Sequence, residues 1–144
     1  MKYLLDTCVL SEYVKKSPSS QVIDWLDEQQ ERDLFISIIS IGELKKGLFK
    51  IKLSQPQKFQ RLWKWLEKLE IRFQGRIIPI NESVINQWSK LCGESEAKGK
   101  KLAVLDSLIT ATALVNNLVV ITRNVDDFAM TSVKIFNPWE LGKK

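Results

Sequence analysis

The side chains best placed to do chemistry are acidic. Asp6, Glu43 and Asp106 stand at or beside the ends of apolar segments, and Asn124, Asp126 and Asp127 follow another such segment. The chain contains 0 histidines. That excludes Ser-His-Asp and Cys-His catalysis, HExxH proteases, two-histidine nucleases and histidine-ligated haem. The 2 cysteines, Cys8 and Cys92, are too few for a disulfide scaffold or a four-ligand zinc site. Carboxylates gathered in one crevice repel and raise one another's pKa, and a bound cation relieves that repulsion. Oxygen-only ligands suit Mg²⁺ or Mn²⁺ and not zinc. An ion held this way activates water and polarises a phosphoryl oxygen with no histidine involved.

Each acid also has a structural reading. Ser40-Ile41-Gly42-Glu43 fits the capping box S-x-x-E, in which Glu43 would only close a helix end. Asp6 could start the helix that follows it, and Asp106 could complement a helix dipole. Asp126 and Asp127 fall in a turn. Taken together, the acids are harder to explain as four separate caps.

The elements that must position them follow from periodicity. Short apolar runs at Tyr3–Leu5, 34–39, 76–80, 118–122 and 133–136 read as strands. Between them lie helical patterns at 9–14, 21–30, 41–53, 58–73, 82–98 and 105–115, with Gln55-Pro56 as a break. The strands are continuous apolar runs that alternate with helices. The expected fold is therefore α/β: a three-layer sandwich with a mostly parallel central sheet flanked by helices. Functional crevices in such sheets lie at the carboxyl ends of the strands. That is where Asp6, Glu43, Asp106 and the 124–127 segment are expected.

A chain of 144 residues with no repeat or linker is expected to be a single domain over 1–144. Lys plus Arg is 22 against 17 for Asp plus Glu, a net +5, which suits a polyanionic partner without demanding one. No apolar run approaches the ~20 residues of a membrane span. Met1–Asp6 reaches a carboxylate too early for a signal-peptide core, so a cytoplasmic location is expected.

Four segments in register carry a family resemblance. They are Tyr3-Leu4-Leu5-Asp6-Thr7-Cys8-Val9-Leu10-Ser11-Glu12, then Phe35-Ile36-Ser37 through Ile41-Gly42-Glu43-Leu44-Lys45-Lys46-Gly47, then Leu105-Asp106-Ser107-Leu108-Ile109-Thr110-Ala111-Thr112-Ala113, and Thr122-Arg123-Asn124-Val125-Asp126-Asp127-Phe128. Asn137-Pro138-Trp139 fits the same pattern. The chain resembles PIN-domain ribonucleases, and most closely the VapC-like toxins of type II toxin–antitoxin systems, the FitB-like branch included. The resemblance implies a PIN-like fold and a Mg²⁺-dependent endoribonuclease (Mn²⁺ being the alternative ion) that cleaves single-stranded RNA or tRNA loops by metal-activated water. It also implies a homodimer and a cognate antitoxin that occupies the acidic groove. Asp6, Glu43 and Asp106 match the family's carboxylates, with Asp6 and Asp106 as the usual metal ligands and Glu43 orienting water or holding a second ion. Asn124 and Asp127 compete for the fourth position, and Asp126 matches a variable one. Cys8 replaces the usual Asn after Asp-Thr, a weaker hydrogen-bonding partner for the site.

Other features have two readings each. Lys98, Lys100 and Lys101, and likewise Lys45 and Lys46, either hold RNA phosphates or are solvated. Trp63 lies in an apolar stripe and is expected in the core. Trp65 is on another face and is a candidate dimer or antitoxin surface. Cys8 and Cys92 are expected to be unpaired buried thiols. Two rival functions remain open at this stage: a non-catalytic PIN-like nucleic-acid-binding module, and an Asp-based phosphotransfer enzyme. A second acid two residues after Asp6 would favour the latter, and that position is Cys8.

Overall fold

A computed structural model describes residues 1–128 and 131–141. The expected domain bounds of 1–144 thus include residues 129–130 and 142–144, which lie outside the described residues. The described strands are β1 (Tyr3–Leu5), β2 (Leu34–Ser37), β3 (Ile77–Ile78), β4 (Val119–Ile121) and β5 (Ile135–Phe136). The helices are α1 (Thr7–Glu12), α2 (Ser20–Glu28), α3 (Ile38–Ile51), α4 (Pro56–Arg72), α5 (Glu82–Ala97) and α6 (Val104–Asn116). Single 3₁₀ turns occur at Glu31–Asp33, Val125–Asp127 and Pro138–Glu140.

The strands form a five-stranded sheet in the order β3-β2-β1-β4-β5. Every pairing is parallel: Tyr3 faces Leu34 and Val119, Ile36 faces Ile77, and Val120 faces Ile135. The chain builds outward from β1 to β2 and β3, then returns to the other side of β1 for β4 and β5. The strand order therefore reverses between β1 and β4, and an open α/β sheet offers its crevice at such a switch point.

Successive strand residues point to opposite faces. Leu5, Val119 and Ile121 join Val9, Leu26, Ile36, Leu66 and Phe73 in one buried cluster, under α1 to α4. Leu4 and Val120 join Ile109, Ala113 and Phe128 in the other, under α6. Both faces are covered, which is why the strands read as unbroken apolar runs. Trp63 and Trp65 are both half-buried at the edge of the first cluster. Trp65 is thus less exposed than its helical phase suggests.

Several boundaries shift, for local reasons. Asp6 caps α1, so that helix starts at Thr7 rather than at residue 9. The break expected at Gln55-Pro56 is present: residues 52–55 separate α3 from α4, Gln55 is the non-helical cap, and Pro56 occupies the first turn of α4, where its missing N–H costs nothing. α6 ends on Asn117 with φ 53°, a left-handed position that asparagine tolerates. The largest correction is at α3. β2 stops at Ser37, whose side chain accepts the Ile39 N–H at 3.0 Å and starts the helix at Ile38. Ser40 lies inside the helix, buried, and its hydroxyl has no hydrogen-bond partner among the described residues. The capping box read at Ser40–Glu43 therefore does not exist, and Glu43 sits in the second turn of α3 rather than the first.

Candidate active site

Asp6 is the hub. It directly follows the central strand and is only 6% exposed. Its Oδ1 accepts the Thr7 N–H at 2.8 Å, and its Oδ2 accepts the Thr122 hydroxyl at 2.8 Å. Thr122 follows β4, so this bond closes the switch point from both strands. The Thr122 hydroxyl oxygen also accepts the Asn124 N–H at 3.0 Å, which folds the 124–127 segment back toward Asp6. Burial raises the Asp6 pKa, and Asp127 adds to it; Thr122, Thr7 and Cys8 oppose the rise as donors.

Glu43 is tied to the same centre through Thr7, whose hydroxyl donates to Glu43 Oε1 at 3.1 Å. Partial burial raises its pKa, with Asp6 adding and Thr7 and Lys46 opposing. Asp106, in the first turn of α6, is pushed up to about 6, first by burial and then by the charges of Asp127, Asp6 and Glu43. Its helix is fixed against α5 where the Trp88 indole N–H donates to the neighbouring Ser107 hydroxyl at 3.0 Å.

Of the predicted residues, Asp127, Asp6 and Glu43 thus all act on Asp106, Asp127 acts on Asp6, and Asp6 acts on Glu43. Asn124 contributes its backbone N–H to Thr122 and its carbonyl to the Asp127 N–H at 3.1 Å. Asp126 is exposed, and its charge is not among those that act on Asp6, Glu43 or Asp106.

Sequence reasoning missed Thr7, Thr122 and Glu12. Thr7 and Thr122 each directly follow a strand or its cap, which is the one signal they carried. Glu12 is buried; its Oε1 accepts the Ser19 N–H at 2.9 Å, and Lys15 pairs with its Oε2 at 2.5 Å. It pins the start of α2 and lies outside the acidic group. The cysteines also differ from expectation: both are free but only half-buried. Cys8 Sγ lies 3.9 Å from Asp6 Oδ2 and 3.7 Å from the Thr122 hydroxyl, and accepts the Arg123 N–H at 3.5 Å. Burial and Asp6 push the thiol's pKa up, so it stays neutral.

The donor set suits a hard divalent ion. It consists of carboxylates and hydroxyls, and Asp6 Oδ1 keeps a second lone pair beyond its bond from Thr7, while Oδ2 faces both Thr122 and the weakly donating Cys8 thiol. Asp106 in particular carries a repulsion that a cation would remove. Among the described residues no three acidic or cysteine side chains already form a closed ion-binding cluster, so holding an ion requires the carboxylates to turn inward.

The sheet order and the acids gathered at its switch point define an α/β fold with an acidic site at the carboxyl ends of its strands. Residues 3–133 match the PIN domain family. The chain is 35% identical over 137 residues to Toxin FitB of Neisseria gonorrhoeae, covering 94% of this chain and 97% of that one. It is 30% identical over 137 residues to VapC ribonuclease Y4jK of Sinorhizobium fredii, covering 95% and 97%. The solved structure of FitAcB from Neisseria gonorrhoeae superposes with a TM-score of 0.88 at 35% identity, over 96% of this chain and 99% of that one. The chain belongs to the PIN-domain family, alongside FitB- and VapC-type relatives.

Proposed function

We propose that the chain is a divalent-metal-dependent endoribonuclease and the toxin of a toxin–antitoxin pair. The observation that carries the proposal is the gathering of Asp6, Glu43, Asp106 and Asp127 at the β1/β4 switch point, with Thr7 tying Asp6 to Glu43, burial raising the pKa of Asp6, Glu43 and Asp106, and the charges of Asp127, Asp6 and Glu43 adding to the rise at Asp106, in a chain with no histidine. The names of the relatives, Toxin FitB and VapC ribonuclease Y4jK, support ribonuclease and toxin. They favour this reading over a non-catalytic module or a phosphotransfer enzyme. An antitoxin partner fits the toxin name. A homodimer and a single-stranded or tRNA-loop substrate belong to the same proposal.

Asp6 and Asp106 would hold Mg²⁺ or Mn²⁺, with Asp127 completing the fourth position and Asn124 shaping its turn. When bound, such an ion lowers the pKa of water and offsets charge on the phosphate. Glu43, steadied by the Thr7 hydroxyl, orients the attacking water and takes its proton. Water would add to phosphorus as one P–O ester bond breaks, and the leaving oxygen would take a proton from solvent. Thr122 and Cys8 hold Asp6 in place without touching substrate.

The test is cleavage of single-stranded RNA with and without Mg²⁺, together with Mn²⁺ titration of wild type and Asp106→Asn. Removing Asp6, Glu43 or Asp106 should cost at least ~10²-fold in rate, the scale of one preorganised electrostatic contact. Equal Mn²⁺ affinity in wild type and Asp106→Asn would remove Asp106 from the ligand set.

A further inference from the structure

The outward face of α4 carries charge that the protein does not neutralise. A concavity of about 490 Å³ there is lined by Gln57, Gln60, Arg61, Lys64, Trp65 and Lys68, with no carboxylate among them. Arg61, Lys64 and Lys68 are exposed, as is Lys58 one turn before Arg61. Among the described residues none of these four cations is ion-paired. Some cations are held by carboxylates, Lys45 by Glu70 at 3.1 Å, Arg72 and Arg76 by Glu31, and Lys15 by Glu12; what sets Arg61, Lys64 and Lys68 apart is that they line one concavity. Like charges on successive turns of one helix repel; Glu67 is the one carboxylate exposed within the run from Lys58 to Lys68, which leaves a net positive face that an external anion would offset.

This face is continuous with the acidic centre. A second cleft of about 320 Å³ starts at Thr7 and Glu43, passes Leu48 and Leu62, and ends at Lys58 and Trp65. Trp65 lines both concavities. It stands half-buried between the carboxylates and the cations, with apolar residues holding one edge of the indole. From Lys58 to Lys68 the helix rises roughly 15 Å, and a stacked strand covers about four nucleotides in that length at ~3.4 Å each. An unpaired cationic row with an interleaved aromatic is the pattern of a single-strand track: cations follow phosphates while the ring stacks on a base.

We propose that Arg61, Lys64 and Lys68, with Trp65 as a stacking platform, form the track that leads a single-stranded RNA along α4 into the cleft beside Glu43. The proposal rests on the ribonuclease reading and adds to it where the strand runs. It reassigns Trp65 from a protein-facing surface to an RNA-facing one.

The test is equilibrium binding of a labelled single-stranded RNA in EDTA, over a salt series, by fluorescence anisotropy. Wild type is compared with R61Q/K64Q/K68Q and with the charge-matched control R32Q/K90Q/K134Q, whose cations are exposed on other elements. Each single-strand phosphate contact contributes a salt slope of about 0.7, or roughly fivefold in affinity at 0.1 M salt, so the triple variant should bind ~100-fold more weakly with a slope about 2 units shallower. The control should stay near wild type. Trp65→Leu should lose on the order of tenfold with its slope unchanged, and Trp65→Phe should recover most of that loss. If wild type cleaves RNA with Mg²⁺ but the α4 variant keeps its affinity and slope, the track is wrong and the ribonuclease reading stands. Equal losses in both triple variants mean diffuse attraction and overturn the track. Unchanged RNA affinity with lost antitoxin binding makes the face a protein dock, which overturns it too. A wild type that neither binds nor cleaves RNA removes the ribonuclease reading along with the track.

Discussion

Replacing Asp106 by Asn should make the metal-free protein more stable at neutral pH while disabling it. The Asp106 carboxyl stands at about 6 against an ordinary 3.8, raised by burial and then by Asp127, Asp6 and Glu43. A rise of about two units corresponds to at most ~3 kcal/mol at 1.36 kcal/mol per unit. The side chain is partly open to solvent, and screening reduces that to about 1 kcal/mol. The sign follows from proton linkage. Below about pH 4 the group is protonated whether folded or unfolded, and the penalty is absent. Between about pH 4 and 6 the folded chain keeps a proton that the unfolded chain has released, so stability falls as pH rises; above about 6 the penalty is complete. Asp106→Asn should therefore melt about 3 °C higher than wild type at pH 7.5 in EDTA, and the difference should vanish at pH 4. Saturating Mg²⁺ should reverse the order, since an ion at 100 times its Kd adds about 2.7 kcal/mol to whichever protein binds it. The assay is thermal unfolding of both proteins at three pH values, with EDTA and with Mg²⁺. An Asn variant no more stable than wild type at pH 7.5 would refute the repulsion, and an equal difference at pH 4 would assign it to something other than charge.

Thr122→Val should destabilise the fold by about 1–3 kcal/mol, because Asp6 Oδ2 and the Asn124 N–H both lose their partner, whereas Thr122→Ser should be close to wild type; urea midpoints decide it. Asp126→Ala should leave RNA cleavage nearly unchanged while Asp127→Ala weakens it, and a severe loss at Asp126 alone would mean the fourth position is off by one residue. Glu43→Gln keeps an oxygen for the Thr7 hydroxyl, so it should fold and melt like wild type yet lose cleavage and growth arrest; a toxic variant with wild-type rate would leave Glu43 a purely structural partner of Thr7.

The sheet and its helices were legible because both faces are covered, which turns strands such as Val119–Ile121 into plain apolar runs between periodic helices. Boundaries were less so wherever a side chain, not a pattern, decides them. Ser37 and Ser40 are both serines ahead of an apolar stretch, and only the tertiary position of β2 makes the first the cap and the second a buried interior residue. The acids of the site showed in the sequence because charge at the end of an apolar run is conspicuous. Thr7 and Thr122 did not, since a hydroxyl declares nothing until its partner, as much as 116 residues away, is known to be adjacent. Cys8 was noticed as a replacement, but its place between Asp6, Thr122 and the Arg123 N–H needed coordinates.

The bond from Thr122 to Asp6 joins the beginning of the chain to its last fifth, and that has a consequence for when the protein becomes dangerous. A ribosome releases Asp6 and Glu43 long before β4, and Asp106 just before it. Until β4 arrives, β1 has a neighbour on one side only, and Asp6 lacks both its hydroxyl donor and the Asp127 that follows. A nascent or prematurely stopped chain therefore carries three of its acids without an assembled centre. Any activity of the site therefore waits for β4, and a chain cut before residue 119 should be harmless even when overproduced.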